Sequence, residues 1–278
     1  METIINGFKT NRAFAVTSVL VLCLLLIAIA APVIAPYDPT HAAMKDAFLE
    51  PGAQHLFGTD KLGRDCFSRV LYGARASLTG VLVLVASVFV VGTTMGVVSG
   101  YFGGKVDMVI MRISDMMISF PGMILAIAIA GIMGGSLVNA VFALTIVSWT
   151  KYARLSRSMT LKVKRRDFVE AAIVNGGTPG HILWVHILPN ILPMMVITAA
   201  ADIGALMMEL AGLSFLGFGS QPPAPEWGLM LNEGRQQLQT APWLMFFPGL
   251  AIFVTVVVFN LWGDNLRDVL DPRGDVED

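Results

Sequence analysis

The chain reads as all-α: a polytopic membrane protein with six transmembrane helices. Three observations predict this. Its 278 residues are 55% hydrophobic and only 14% charged, and mean hydropathy is +0.69, whereas a soluble domain carries roughly a quarter charged residues. The apolar residues gather into stretches of about 20, the length a helix needs to cross a hydrocarbon core. Lys and Arg collect in alternate connections between those stretches. The net charge of −1 makes no case for a nucleic-acid partner.

The first span covers about 13–35. Lys9 and Arg12 precede it and Ala28-x-Ala30 imitates a signal-peptide cleavage site, but the apolar stretch outlasts the about 7–15 residues of a signal, and Pro32 and Pro36 lie at its end. An uncleaved anchor is expected. A connection from Tyr37 to Arg75 follows, long for a helical bundle, with an amphipathic helix expected over Asp65–Tyr72. Residues 1–75 thus form an N-terminal helix and loop, and 76–278 the main transmembrane domain.

The second span, 76–99, ends in Gly92, Gly96 and Gly100, spaced to let another helix approach closely. The third, 107–133, is interrupted by Pro121, which predicts a kink; within it Arg112 and Asp115 can pair one turn apart. The fourth is 137–155.

The next stretch is the most informative. Asp167 to Pro189 is a polar helix–turn–helix lodged between two apolar spans. Asp167 and Glu170 have the spacing of an N-cap acceptor and its reciprocating N3 carboxylate. Gly176 and Gly177 suit a helix end, and Thr178-Pro179 starts a second helix with Thr as cap and Pro in the first turn. His181 and His186, five apart on a helix, are expected on different faces. Such a unit offers a soluble partner a rigid knob.

The fifth span, 191–217, is small-faced through Ala199, Ala200, Ala201, Gly204, Ala205 and Gly212. Asp202 and Glu209 share one of its faces, near Met208, and no basic residue in that span neutralises them. An ionisable residue inside a span suggests function by default; these pair with another subunit, are protonated, or line a wet translocation pathway. The sixth span is 242–262.

Seven cations lie between Lys151 and Arg166. With six spans they share a side with Lys9, Arg12, Lys105, Arg267 and Arg273, which places both termini and the knob in the cytoplasm. No G-x-x-x-x-G-K-[ST] loop, H-E-x-x-H, C-x-x-C or G-x-S-x-G occurs. Cys23 and Cys66 make no disulfide framework, and the four histidines no preformed metal site. No catalytic residue or metal ligand is assigned, and the chain is not expected to be an enzyme.

The loop Glu170-Ala171-Ala172-x-x-x-Gly176, followed by Ile187-Leu188-Pro189, resembles the EAA motif of bacterial ABC importer permeases. His55-Leu56-Phe57-Gly58-Thr59-Asp60-x-x-Gly63-Arg64-Asp65 is similar to the outer-loop signature of the peptide and nickel branch. So are Leu213–Gly219, Pro225-Glu226-Trp227-Gly228 and Gly263-Asp264-x-Leu266-Arg267-Asp268-x-Leu270-Asp271-Pro272. The resemblance, which covers essentially the full length, is to the second permease subunit of that branch. It implies a MetI-like bundle in the bacterial inner membrane and a coupling helix near 167–177 that seats on an ATPase through Glu170, Ala171, Ala172 and Gly176. It also implies a homologous second permease, two ATPase subunits that hold the ATP and Mg, an extracytoplasmic binding protein, and membrane lipid around the bundle. No cofactor of its own is implied. Asn232–Arg235, Pro242-Trp243 and Phe247–Gly249 lean towards nickel-type subunits, although di- and oligopeptide permeases share most of these features. Two other readings remain open: a secondary transporter or channel using Asp202 and Glu209, and a structural membrane subunit. Neither accounts for the capped knob.

Overall fold

The computed structural model describes residues 11–270, so Lys9, Asp271-Pro272 and Arg273 lie outside the described residues. All regular structure among them is helical. Helix α1 (Arg12–Ile34) starts where the Asn11 side chain accepts from Phe14 N at 3.0 Å. Helix α2 (Cys66–Phe102) is capped by Asp65, and α3 (Gly104–Ile118), α4 (Gly122–Met133), α5 (Leu137–Lys164) and α6 (Asp167–Val174) follow. One turn, α7 (Pro179–His181), passes through a π-helical segment, Ile182–Ile187, into α8 (Leu188–Phe215). Helices α9 (Trp227–Gly234) and α10 (Trp243–Leu270) complete the chain.

Four helical stretches are long and apolar enough to cross a membrane: Arg12–Ile34, Cys66–Phe102, Pro179–Phe215 and Trp243–Leu270. The expected third span is α3 and α4 bent by 93° across Ser119–Pro121, a sharper break than a proline kink; counting the pair as one makes five. The expected fourth span lies in α5, whose Lys151, Arg154 and Arg157 dilute its apolar character. The amphipathic helix expected over Asp65–Tyr72 is not separate. It is the head of α2, which starts at Cys66 and passes unbroken through residue 76.

The core forms along two seams. At the first, α2 lies against α5: a Cβ at Gly92 would stand 2.6 Å from Trp149 O, and one at Gly96 would overlap Ala153 O and Ser156 Oγ. The backbones are therefore in contact, as the glycine spacing predicted. At the second, the small face of α8 meets α10, with Gly204 against Asn260 and Gly263 against Ala201. Helix α1 packs outside, on α2 and α10, and is pinned where Trp262 Nε1 donates to Ser18 Oγ at 3.0 Å.

Helix α5 also carries an electrostatic ladder. Lys151 pairs with Asp202 of α8 at 2.6 Å, Arg154 with Asp115 of α3 at 2.5 Å, and Arg157 with Asp107 of α3 at 2.5 Å. The Arg157 contact is a two-pronged fork, joined by a hydrogen bond from Ser99 Oγ. Asp115 thus turns to Arg154 and not to Arg112, because the neighbouring helix brings a cation closer than its own turn does.

Candidate functional site

The knob that carries Glu170, Ala171, Ala172 and Gly176 begins one residue earlier than its sequence suggested. Arg166 is the N-cap of α6 and makes no side-chain cap bond. Asp167 lies inside the first turn, so the expected reciprocal cap with Glu170 does not form. Both carboxylates instead favour the positive end of the helix dipole. The far end behaves as expected. Gly176 takes φ +79°, Gly176 N donates to Ile173 O at 3.0 Å and Gly177 N to Ala172 O at 2.9 Å, the paired bonds of a Schellman stop. Thr178 then caps the next turn, its Oγ1 accepting from His181 N at 3.4 Å. That turn is no free-standing helix but the head of α8.

The π-helical stretch has a visible effect. Its wider turn brings residues five apart round to one face, and the His181 and His186 rings stand 5.6 Å apart, edge to face, with Phe168 6.2 Å beyond His186. The expectation of separate faces assumed an α-helical pitch. Val169 is fully buried against this base, whereas Glu170, Ala171, Phe168, Ile173 and Val174 are exposed, Val174 at 85%, beside Trp184 at 72%. The knob is anchored by one side chain and presents apolar surface outward.

Midway along the bundle, Asp202 and Glu209 face a cavity of about 210 Å³ between α5 and α8, lined also by Ser148, Thr150, Lys151, Tyr152, Ala205 and Leu206. Lys151 Nζ donates to both Asp202 oxygens, at 2.6 and 2.8 Å. The cation that Asp202 lacked in its own span comes from the helix opposite. The sequence carried a signal for it: the expected span 137–155 already contained Lys151, and a cation inside a span needs a carboxylate at its own depth. Met208 is exposed on the adjoining surface.

At the opposite end from α6, the residues of the outer motif fold into one buried knot. Gly58 and Gly63 take positive φ, 71° and 72°, and fold residues 59–65 into a tight turn closed by an isolated bridge between Thr59 and Asp65. Asp60 accepts from Leu62 N, Arg64 N and Arg64 Nε at 2.6–3.0 Å. Asp65 caps α2 through Ser68 N at 2.8 Å and meets His55 Nδ1 at 2.9 Å. Sequence reasoning missed two partners: Glu233 of α9 accepts from Arg64 at 3.1 Å and from Arg69 at 2.6 Å. Both arginines are 1% exposed. Glu226 likewise caps α9 while accepting from Ser77 Oγ of α2 at 3.0 Å.

Comparison with known proteins identifies the type. The family described as "Binding-protein-dependent transport system inner membrane component" matches residues 92–275, and the "N-terminal TM domain of oligopeptide transport permease C" matches residues 3–51. The chain is 42% identical to the dipeptide transport system permease protein DppC of Alkalihalophilus pseudofirmus, over 95% of this chain and 87% of that one. It is 39% identical to the nickel transport system permease protein NikC of Escherichia coli, over 96% and 97%. Its fold is similar to a chain of the inward-facing MetNI methionine ABC transporter, with a TM-score of 0.60 at 21% identity over 73% of this chain and 97% of that one.

Proposed function

The chain belongs to the inner-membrane permeases of the peptide and nickel ABC importers, and on that premise we propose that it forms half of a translocation pathway for a di- or oligopeptide or a nickel complex. The observation that carries this is the polar face between α5 and α8. Lys151 is 63% exposed on its side chain although it lies near the middle of α5, and Met208 is 55% exposed well inside α8. A lysine facing lipid at that depth costs about 3 kcal/mol or more, so this surface meets protein or water. A homologous second permease covering it, with a wet path between the two, satisfies both needs.

The knob is the coupling element. Glu170, Ala171 and Ala172 seat against an ATPase subunit, the small alanines allowing deep approach, and the Schellman stop at Gly176 keeps the lever from fraying as it is pushed. ATP and Mg bind on that subunit. Its preference for ATP in the closed state supplies the bias that alternates access. The knot of Gly58, Asp60, Gly63, Arg64 and Asp65 gives the other end a stiff surface for an extracytoplasmic binding protein. Lys162, Lys164, Arg165 and Arg166 make none of the ion pairs of the ladder and mark the α6 end as cytoplasmic. Counting α3–α4 and α5 as crossings gives six and returns both termini to that side. The unit of α1 and its loop gives way to the main domain at Cys66, the head of α2.

Replacing Glu170 by Ala, or Gly176 by Leu, tests the coupling claim. Both are expected to reduce co-purification with the ATPase subunits and to abolish ATP-driven uptake in proteoliposomes. Retained assembly with undiminished uptake refutes the claim. Uptake of labelled dipeptide against radioactive nickel, in cells lacking the operon, assigns the cargo.

A further inference from the structure

Helix α5 leads straight into the knob. It ends at Lys164, and only Arg165 and Arg166 separate it from α6. Where α6 stands is therefore set by the last turns of α5, and those turns are gripped at three positions. The Arg157 guanidinium forks onto both Asp107 oxygens, each at 2.5 Å. Gly100 of α2 leaves room for Thr160, whose Cβ would stand 2.9 Å from a Cβ built there. Lys164 Nζ donates to Tyr101 O at 2.7 Å and lies 5.2 Å over the Tyr101 ring. Residues 157, 160 and 164 share one face of a helix. The three grips thus fasten about two turns of α5 to the corner where α2 meets α3.

Asp107 is the centre of that clamp. Gly103 both ends α2 and opens α3, so Ser99 and Asp107 lie one turn either side of it. Ser99 Oγ donates to the same carboxylate that Arg157 forks. One side chain thus ties three helices. The Arg154–Asp115 pair of the same ladder is a weaker link. Its side chains are 46% and 55% exposed and make a single contact, the setting in which an ion pair contributes little. Further from the knob, the seam between α2 and α5 is already closed by backbone contact at Gly92 and Gly96. What the clamp adds is a hold on the end of α5 that carries the knob.

We propose that Asp107 is a positioning residue for coupling: by holding Arg157 it keeps the last turns of α5 fixed to α2 and α3, so that displacement of α6 moves the three helices as one block instead of bending α5 at its end. This rests on the coupling reading above and names how the push leaves the knob. Asp107 acts through Arg157 and needs no contact with cargo or ATPase. The far end of α3 is the 93° bend into α4. Helix α4 in turn reaches α8, where Met123 Cε lies 3.0 Å from a Cβ built at Gly212, one turn past Glu209. A block that moves whole therefore bears on the cavity between α5 and α8 from both walls. Chains of packed side chains and ion pairs of this kind carry energetic coupling between distant sites.

The test uses the complete transporter with its binding protein in proteoliposomes, with labelled Ala-Ala and radioactive nickel as probes. In Asp107→Asn, co-purification with the ATPase subunits and ATP hydrolysis are expected to persist, while uptake per ATP hydrolysed falls at least about threefold. Asp107→Glu, and the exchanged pair Asp107→Arg with Arg157→Asp, are expected to restore part of that ratio. Arg157→Lys, which keeps the charge without the fork, serves in place of Asp107→Asn should that variant not fold. A spin-label pair reads the clamp without cargo. In a Cys23→Ser background, with Cys66 buried, labels at Met108→Cys on α3 and Lys162→Cys on α5 are expected to keep one narrow distance with and without ATP–vanadate, and to broaden in Asp107→Asn. An unchanged ratio, uptake and hydrolysis falling together, or a distance that stays narrow in Asp107→Asn overturns the assignment. Glu170→Ala tells the failures apart. Undiminished uptake there defeats the coupling reading, whereas impaired uptake beside an unaffected Asp107→Asn defeats only the clamp.

Discussion

Glu233 illustrates what a single residue decides in this molecule. Two arginines, each 1% exposed, converge on its carboxylate, and among the described residues Asp60 is their other ion-pair partner. Glu233→Gln leaves a buried guanidinium uncompensated, and breaking one partner of such a group costs roughly 3–5 kcal/mol. The variant is expected to unfold at a clearly lower temperature in detergent; an unchanged midpoint would show that the knot is not held electrostatically. Legibility at this scale was uneven. The closely approaching Gly92 and Gly96 announced themselves by spacing, because a missing side chain is a local property. Glu233 did not, because its partners lie 164 and 169 residues away and charge alone does not say which arginine it meets.

Among the elements, α6 is the one whose behaviour follows most directly from its ends. Gly176 sits at φ +79° with open space where a Cβ would go, so Gly176→Ala tests conformation without a clash. The left-handed geometry costs an alanine roughly 1–2 kcal/mol. Amide exchange across 175–178 is expected to accelerate while the global midpoint holds, and Gly176→Asn is expected to restore much of the protection. Acceleration spread over all of α8 would contradict the local reading. The stop was legible because glycine has few reasons to be there. The start was not: Asp167 has the side chain of an N-cap, yet the backbone puts Arg166 in that position, where it makes no side-chain cap bond. The π-helical turn left no mark in composition, so the meeting of His181 with His186 could not be foreseen from an α-helical wheel.

For the whole molecule, hydropathy made the helical membrane architecture legible but blurred the count, because α5 carries Lys151, Arg154 and Arg157 well inside the helix and α3–α4 turns through 93°. Those cations looked like a cytoplasmic run only while their carboxylates on α3 and α8 were unknown. The proposed orientation has a direct check. In a Cys23→Ser background, Glu170→Cys is expected to react with an impermeant maleimide only from the cytoplasmic side and Lys61→Cys only from the outside; labelling of both from one side would reverse the map. The outer knot also has a consequence for biosynthesis. Arg64 and Arg69 leave the ribosome long before Glu233 does, on the order of ten to thirty seconds at usual elongation rates. The first hairpin therefore enters the bilayer with its guanidiniums still hydrated, and its cap closes only once the last third of the polypeptide has been translated and α9 docks. A truncation before α9 would leave that cap permanently open and offer quality-control proteases an unfinished surface at the end of the bundle opposite α6.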